Sequence, residues 1–338
     1  MRRTILLLLV AASLLGPAPA RAAERFTFYG SGYGHGLGLS QWGAYGLALR
    51  GWSHEEILTH FYTGTEVRRV DDGPARLRIG LAQGERRVHL EAEEAGVELR
   101  LGGAGGEPVA TIPTGETWTV RVRDSRYSIL DGSGAPVGGP VGGPDADLFA
   151  VYAPQGARVR IAEAGHSYAR GWIEFNLYDC PSACRIRLVL SVAPQEYLYG
   201  LGEVPSSWPE EALEAQAVAA RSYALRQIYE APNQAFHVYP TTASQMYLGY
   251  DGESPATTRA VEETRGKVLV YAAPGVPSRG GLPGEPVAAF YHSSSGGYTE
   301  NAEDVWLNPV PYIKGKQDPY DVNPKHYNWQ VSYDISQL

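Results

Sequence analysis

The sequence predicts an α+β fold, mostly strands with one buried alanine-rich helix, and three observations carry that expectation. From about residue 67 to 179, short runs alternate apolar and polar residues, as in ARLRIGLA, RRVHLEAE, TWTVRVRD, ARVRIAEA and WIEFNLY. A period of two sends every second side chain to one face, the pattern of half-buried strands. Glycine and proline clusters, GGAGGEP and DGSGAPVGGPVGGPDAD, separate these runs and read as turns. The stretch PSSWPEEALEAQAVAARSYALRQIYEAP instead reads as a helix. Ser207 would cap it, with Glu210 three residues on, and its alanine interior would let neighbouring elements approach closely.

Four regions follow in order. Residues 1–23 have the build of a secretory signal peptide: Arg2 and Arg3, an apolar run from Ile5 to Leu15, then Ala20 and Ala22 around Arg21. Spanning a bilayer takes roughly 20 residues, so the run is short for a membrane helix. The expected product is an exported, cell-envelope protein with no stable membrane insertion after cleavage; an uncleaved segment kept as an anchor is the alternative. Residues 24–66 are glycine-rich and then helical, with Ser53 and Glu56 as a capping box ahead of HEEILTHFY. Residues 67–179 read as a β-rich scaffold. Residues 180–338 hold the alanine-rich helix and return to strands in KVLVYA and PVAAFYHSS.

The formal net charge of -8 argues against a nucleic-acid partner, which calls for a basic stripe. Cys180 and Cys184, the two cysteines, lie four residues apart in YDCPSACRIRL. In an exported chain such a pair is most simply a disulfide closing a tight loop. A metal reading needs two further ligands at fixed spacing, and only scattered histidines are on offer.

Three stretches hold the residues suited to chemistry. In VAPQEYLYGLGEVPSSWPEE, Glu203 follows an apolar run and precedes the helix, with Pro205, Trp208 and Pro209 stiffening the connection. A carboxyl held there beside an apolar ring would have its pKa raised by desolvation, as a general acid requires. The competing reading is a surface carboxylate favoured by the helix dipole. In FYGSGYGHGLGLSQWGAYG, alternate glycines free the backbone to approach a ligand, while His35, Ser40 and Gln41 offer donors and acceptors. No lysine follows, so this is not a phosphate loop. In AAFYHSSSGGYTENAEDVW, the serines after His292 invite a Ser/His nucleophile, yet the elbow G-x-S-x-G is missing. Polar groups there suit sugar hydroxyls equally well, and a Ser/Gly turn capped by its own hydroxyls remains open.

Taken together, GYGHGLGLSQWGAYGLALRGWSHEEILTHFYTGTE, EYLYGLGEVPSSWPEEALEAQAVAARSYAL and AFYHSSSGGYTENAEDVW resemble the SpoIID/LytB family, the stage II sporulation protein D and amidase-enhancer group. TTASQMYLGY and AVEETRGKVLVY extend the resemblance. It implies a SpoIID-like fold and a lytic transglycosylase of peptidoglycan, or a non-catalytic enhancer of a cell-wall amidase. The partners implied are glycan strands and an amidase, with no cofactor. In such an enzyme one glutamic acid, at the position of Glu203, protonates the bond between N-acetylmuramic acid and N-acetylglucosamine, and the muramic 6-hydroxyl closes a 1,6-anhydro ring. Candidates for lining the glycan groove are His35, Ser40, Gln41, His292, Ser293, Ser294 and Glu300. Gln216 and Arg221 would orient the acid or hold an N-acetyl group; for Arg221 a structural ion pair is the alternative. Some members bind a metal near the stretch matching HVYPTTASQMY, but this chain has His237 and no cysteine there, so no metal is expected. The glycine-histidine motif usually lies near the end of the domain, whereas here it comes first, as if permuted. For it to dock beside Glu203, the first and last regions must pack together.

Overall fold

The computed structural model describes residues 25–70, 73–152, 157–273, 282 and 284–335; the signal-peptide expectation lies outside them. The fold is α+β with strands dominant. Among the described residues, no helix is long and apolar enough to cross a membrane.

The alternating runs form two antiparallel sheets. One has six strands in the order Leu77–Glu85, Arg185–Val192, Trp172–Tyr178, Leu148–Tyr152, Val97–Leu101 and Glu107–Ile112. The other has five, from His166–Tyr168 through Val159–Ile161, Arg87–Ala92 and Thr117–Arg123 to Arg126–Leu130. Inward side chains of both sheets, Ile79, Leu90, Val120, Phe175 and Leu188 among them, make one apolar cluster. The six-stranded sheet runs across residue 179, because Arg185–Val192 lies between Leu77–Glu85 and Trp172–Tyr178. Cys180 and Cys184 are disulfide-bonded in the turn of the hairpin formed by Trp172–Tyr178 and Arg185–Val192.

Six helices are described: α1 (Gln41–Ala48), α2 (His54–Phe61), α3 (Pro194–Tyr197), α4 (Glu210–Glu230), α5 (Pro255–Glu263) and α6 (Ala302–Trp306). Helix α2 has the capping box expected of Ser53 and Glu56. Helix α4 begins later than its sequence suggests, with Pro209 rather than Ser207 at the N-cap. The residue before a proline is kept out of the helical region, so Trp208 cannot be helical and the chain turns instead, Trp208 N–H donating to the Pro205 carbonyl. From Ala212 to Leu225 every residue of α4 is buried. A helix buried all round meets neighbours on every side. Ala217, Ala220 and Ala224 join the cluster under the sheets, while Ala215, Val218 and Ala219 join a second one built from α1, α2 and the strand Lys267–Tyr271.

The first and last regions pack together through three pairings. Arg25–Gly30 runs antiparallel to Trp329–Asp334, Thr65–Arg69 antiparallel to Lys267–Tyr271, and Leu39–Ser40 parallel to Tyr291–His292. The last of these needs a glycine. Gly38 has φ +70°, and a Cβ there would stand 2.1 Å from the Phe290 carbonyl oxygen.

Arg221 holds α4 to its surroundings. Its guanidinium, 7% exposed, donates to the carbonyls of Lys267 (2.9 Å) and Val261 (3.2 Å) and to Gln195 Oε1 (3.3 Å). Replacing Arg221 by Met strands these acceptors and is expected to cost about 2 kcal/mol, read as a lower midpoint in urea. Gly38→Ala adds left-handed strain to a clash with backbone and is expected to cost more than about 2 kcal/mol by the same measurement.

Candidate functional site

The strand Arg185–Val192 delivers the chain into α3, a single 3₁₀ turn at Leu198–Gly200, and then Glu203. Two backbone bonds lace this connection to a distant segment: Gly202 N–H donates to the Met246 carbonyl and Leu248 N–H to the Gly200 carbonyl, each at 2.9 Å. Glu203 is thereby carried on a braced loop.

Glu203 lines a cleft of about 690 Å³ together with Tyr33, Gln41, Tyr223, Tyr291 and Trp306. Six stretches of chain meet there: the glycine-histidine segment, the loop before α4, α4 itself through Tyr223, residues 242–246, residues 290–293 and α6 through Trp306. Among the described lining residues Glu203 is the sole carboxylate, and neither lysine nor arginine lines the cleft. Leu198, Leu201, Val204 and Leu213 flank a small cavity on which Glu203 also borders. Trp208, expected beside the carboxyl, packs on Trp42 and Tyr45 with ring centroids 5.1 Å apart in each case.

Glu203 Oε1 accepts the Met246 N–H at 2.6 Å and the Tyr291 hydroxyl at 2.8 Å. Burial raises the Glu203 pKa above the ordinary carboxylate value, while those two donors pull it down; burial prevails. Behind Tyr291 stands Gln245, fully buried, whose Nε2 donates to the Tyr291 hydroxyl at 2.9 Å and whose Oε1 accepts the Tyr197 hydroxyl at 3.0 Å.

The expected site residues divide by place. His35, Gln41, His292 and Ser293 share the cleft with Glu203. His35 Nδ1 accepts the Leu37 N–H at 3.0 Å, and desolvation lowers its pKa. His292 is 4% exposed, meets the Leu37 carbonyl through Nδ1 at 3.2 Å, and is pushed down to about 4 by burial and then by His35. Both rings are neutral at physiological pH. Ser294 and Glu300 line an adjoining cavity of about 570 Å³, which shares Tyr33, Gly34 and His35 with the cleft. Ser294 Oγ donates to Asp321 at 2.6 Å. Ser40 and Gln216 sit behind the walls: Ser40 Oγ caps α1 by accepting the Gly43 N–H at 3.1 Å, and Gln216 Oε1 accepts from Gln41 Nε2 at 3.3 Å. Arg221 lies outside the cleft, in the contacts already described.

Tyr291, Gln245, Met246 and Tyr223 were not singled out from the sequence. Gln245 and Met246 fall inside TTASQMYLGY and Tyr291 directly precedes His292, so the stretches were visible although the roles were not. His237, in the stretch weighed for a metal, accepts the Arg78 N–H through Nδ1 at 3.0 Å. The described residues include one group with metal-ligand geometry, His54 with Glu211 and Glu214. There the Lys267 ammonium donates to His54 Nε2 at 2.9 Å, and His54 Nδ1 lies 2.6 Å from Glu214, so both ring nitrogens already have hydrogen-bond partners.

A partly buried acid lining a cleft, with neutral imidazoles and aromatic rings beside it, suits proton transfer to a polar substrate.

Residues 183–271, which contain Glu203 and all of α4, match the family model for the stage II sporulation protein SpoIID. The chain is 40% identical over 136 residues to the amidase enhancer of Bacillus subtilis (strain 168), covering 40% of this chain and 16% of that protein. With stage II sporulation protein D of the same organism it shares 33% identity over 167 residues, 44% of this chain and 46% of the relative. With the Bacillus amyloliquefaciens protein of that name it shares 31% over 156 residues, 41% and 42% of the two chains. The chain thus spans less than half the length of each of these relatives. No solved structure matches it. It is the segment carrying Glu203 and the buried alanine helix that matches the SpoIID family model, and the relatives similar to this chain bear the names stage II sporulation protein D and amidase enhancer.

Proposed function

We propose that the protein is an exported, cell-wall-associated lytic transglycosylase that cleaves the glycan strands of peptidoglycan, with Glu203 as general acid and then general base. The observation that carries this reading is the solitary carboxylate among the described residues that line the cleft, its pKa raised by burial. Glycosidases that activate water need two carboxyl groups flanking the bond. A transglycosylase needs one. Glu203 gives its proton to the glycosidic oxygen as the bond to muramic C1 breaks, and positive charge develops at that carbon. The carboxylate then takes the proton of the 6-hydroxyl as its oxygen attacks C1. A 1,6-anhydro ring closes, no water is consumed, and the acid is regenerated. The neutral walls are compatible with the uncharged hydroxyl and N-acetyl groups of the sugar rings, and the proposal gives His35, Gln41, His292 and Ser293, which line the cleft, the contacts to them.

A second reading rests on the similarity to a protein named amidase enhancer. In it the cleft binds glycan and stimulates a cell-wall amidase with no chemistry at Glu203.

Incubating the protein with intact and with peptide-stripped peptidoglycan, and searching by mass spectrometry for 1,6-anhydromuramic ends, separates the two. Wild type is expected to produce them, and Glu203→Gln to lose at least about a hundredfold in rate while still binding glycan. Folded, glycan-bound wild type that makes no anhydro ends, yet stimulates an amidase equally with or without Glu203, would establish the enhancer.

The pH profile carries a further expectation. Protonated Glu203 is the active form, and its pKa lies above the ordinary carboxylate range. Turnover should therefore persist above that range and fall as pH rises through the raised value, read as the alkaline limb of kcat/KM.

A further inference from the structure

The hydrogen bonds behind Glu203 have a direction that elementary chemistry assigns. Gln245 Nε2 lies 3.4 Å from the Ala220 carbonyl oxygen as well as 2.9 Å from the Tyr291 hydroxyl. A carbonyl only accepts, so the atom facing Ala220 is the amide nitrogen. The Tyr291 oxygen then accepts from Gln245, and its single hydrogen points to Glu203 Oε1. Tyr197 in turn donates to Gln245 Oε1. The Met246 N–H reaches the same oxygen of Glu203 from the other segment. Oε1 thus receives two donors in either ionisation state. A protonated carboxyl so held cannot place its own hydrogen on Oε1 without turning it against two others.

We propose that Tyr291, Gln245 and Tyr197 form a positioning relay that confines the acidic hydrogen of Glu203 to Oε2, the oxygen left for the substrate. The inference deepens the transglycosylase reading and rests on it for its catalytic meaning. It adds which oxygen delivers the proton and which buried residues decide so. Nothing else nearby competes for the role. The ionisable groups facing Glu203 are Tyr197, Tyr223 and Tyr291, with His35 and His292 along the same walls. Burial raises the pKa of all three tyrosines, so the relay stays neutral and keeps its direction through the pH range in which Glu203 titrates.

The relay also explains the burial of Gln245, a fully enclosed amide with no other task among the described contacts. Such a group is costly unless each of its hydrogen bonds is made. Its partners here are a helix carbonyl and two hydroxyls.

The test reads the carboxyl directly. Protein carrying ¹³C at glutamate Cδ is titrated by NMR, with the Glu203 signal assigned through its loss in Glu203→Gln. Tyr291→Phe removes the donor and keeps the ring; Gln245→Met severs the link and keeps the volume. Both are expected to move the Glu203 titration to higher pH, Tyr291→Phe further than Gln245→Met, because each weakens donation to the carboxylate form. The alkaline limb of anhydro-end formation should follow in the same order, with kcat down about tenfold or more and KM little changed. A Glu203 titration unmoved in both variants would overturn the relay, even if wild type makes anhydro ends. A titration that moves as described in a protein that makes none would leave the relay standing and remove the transglycosylase reading.

Discussion

Burial of α4 on every side is the constraint from which the rest of the architecture follows. A helix packed among four shorter helices, α1, α2, α3 and α5, the strand Lys267–Tyr271 and the cluster under the sheets has to be thin, and alanine makes it so. Alanine also gives up no side-chain rotamer freedom on burial, so the interior of α4 is ordered at low entropic cost. The apolar stripes of α4 serve as a shared wall for two clusters that would otherwise be separate, one under the scaffold sheets and one under the glycine-histidine segment. Where α4 does carry polar groups they lace it to its neighbours: Ser222 Oγ accepts the Leu269 N–H at 2.8 Å, and Arg221 reaches the carbonyls of Lys267 and Val261. The loop bearing Glu203 leads directly into this helix, so the position of the carboxyl inherits the rigidity of the core.

That rigidity matters because the chemistry of Glu203 rests on a balance. Desolvation favours the neutral acid, and two donors on Oε1 favour the carboxylate. Under the proposed reaction the acid later acts as a base and needs both forms within reach, and an excess of either influence would lock it in one. The walls keep the balance undisturbed. His35 and His292 are held neutral by burial, and neither cation nor second carboxylate lines the described cleft. The geometry thereby assigns Coulombic effects a minor part, and the carboxyl is tuned by burial and hydrogen bonds alone.

The glycine-histidine segment illustrates how far apart in sequence the parts of one site lie. It reaches the cleft because Leu39–Ser40 pairs with Tyr291–His292, and that pairing is close enough to exclude a Cβ at Gly38. Ser40, suggested by its motif as a ligand group, instead spends its hydroxyl capping α1. Gln41, one residue on, lines the cleft. Adjacent polar residues in one motif thus divide between building the wall and facing the cleft, and only the backbone path separates the two roles.

By itself the sequence determined the strand-rich α+β class, the alanine helix and the capping box at Ser53, because residue type and periodicity within a short window carry those features; Glu203 stands out only through the family resemblance of its stretch. Even so, the start of α4 was misplaced at Ser207, since the effect of Pro209 on Trp208 outweighed the capping pattern. Only the tertiary structure decided what surrounds Glu203. Met246 and Tyr291 lie 43 and 88 residues further along the chain, and Gln245 touches the carboxyl only through Tyr291. Arg221 and Gln216, both on α4 and both plausible ligands from the sequence, were sorted by helix face: one against a strand and α5, the other toward Gln41. Encounters of this kind depend on strand register, helix rotation and close backbone approach, and no local pattern of residues encodes them.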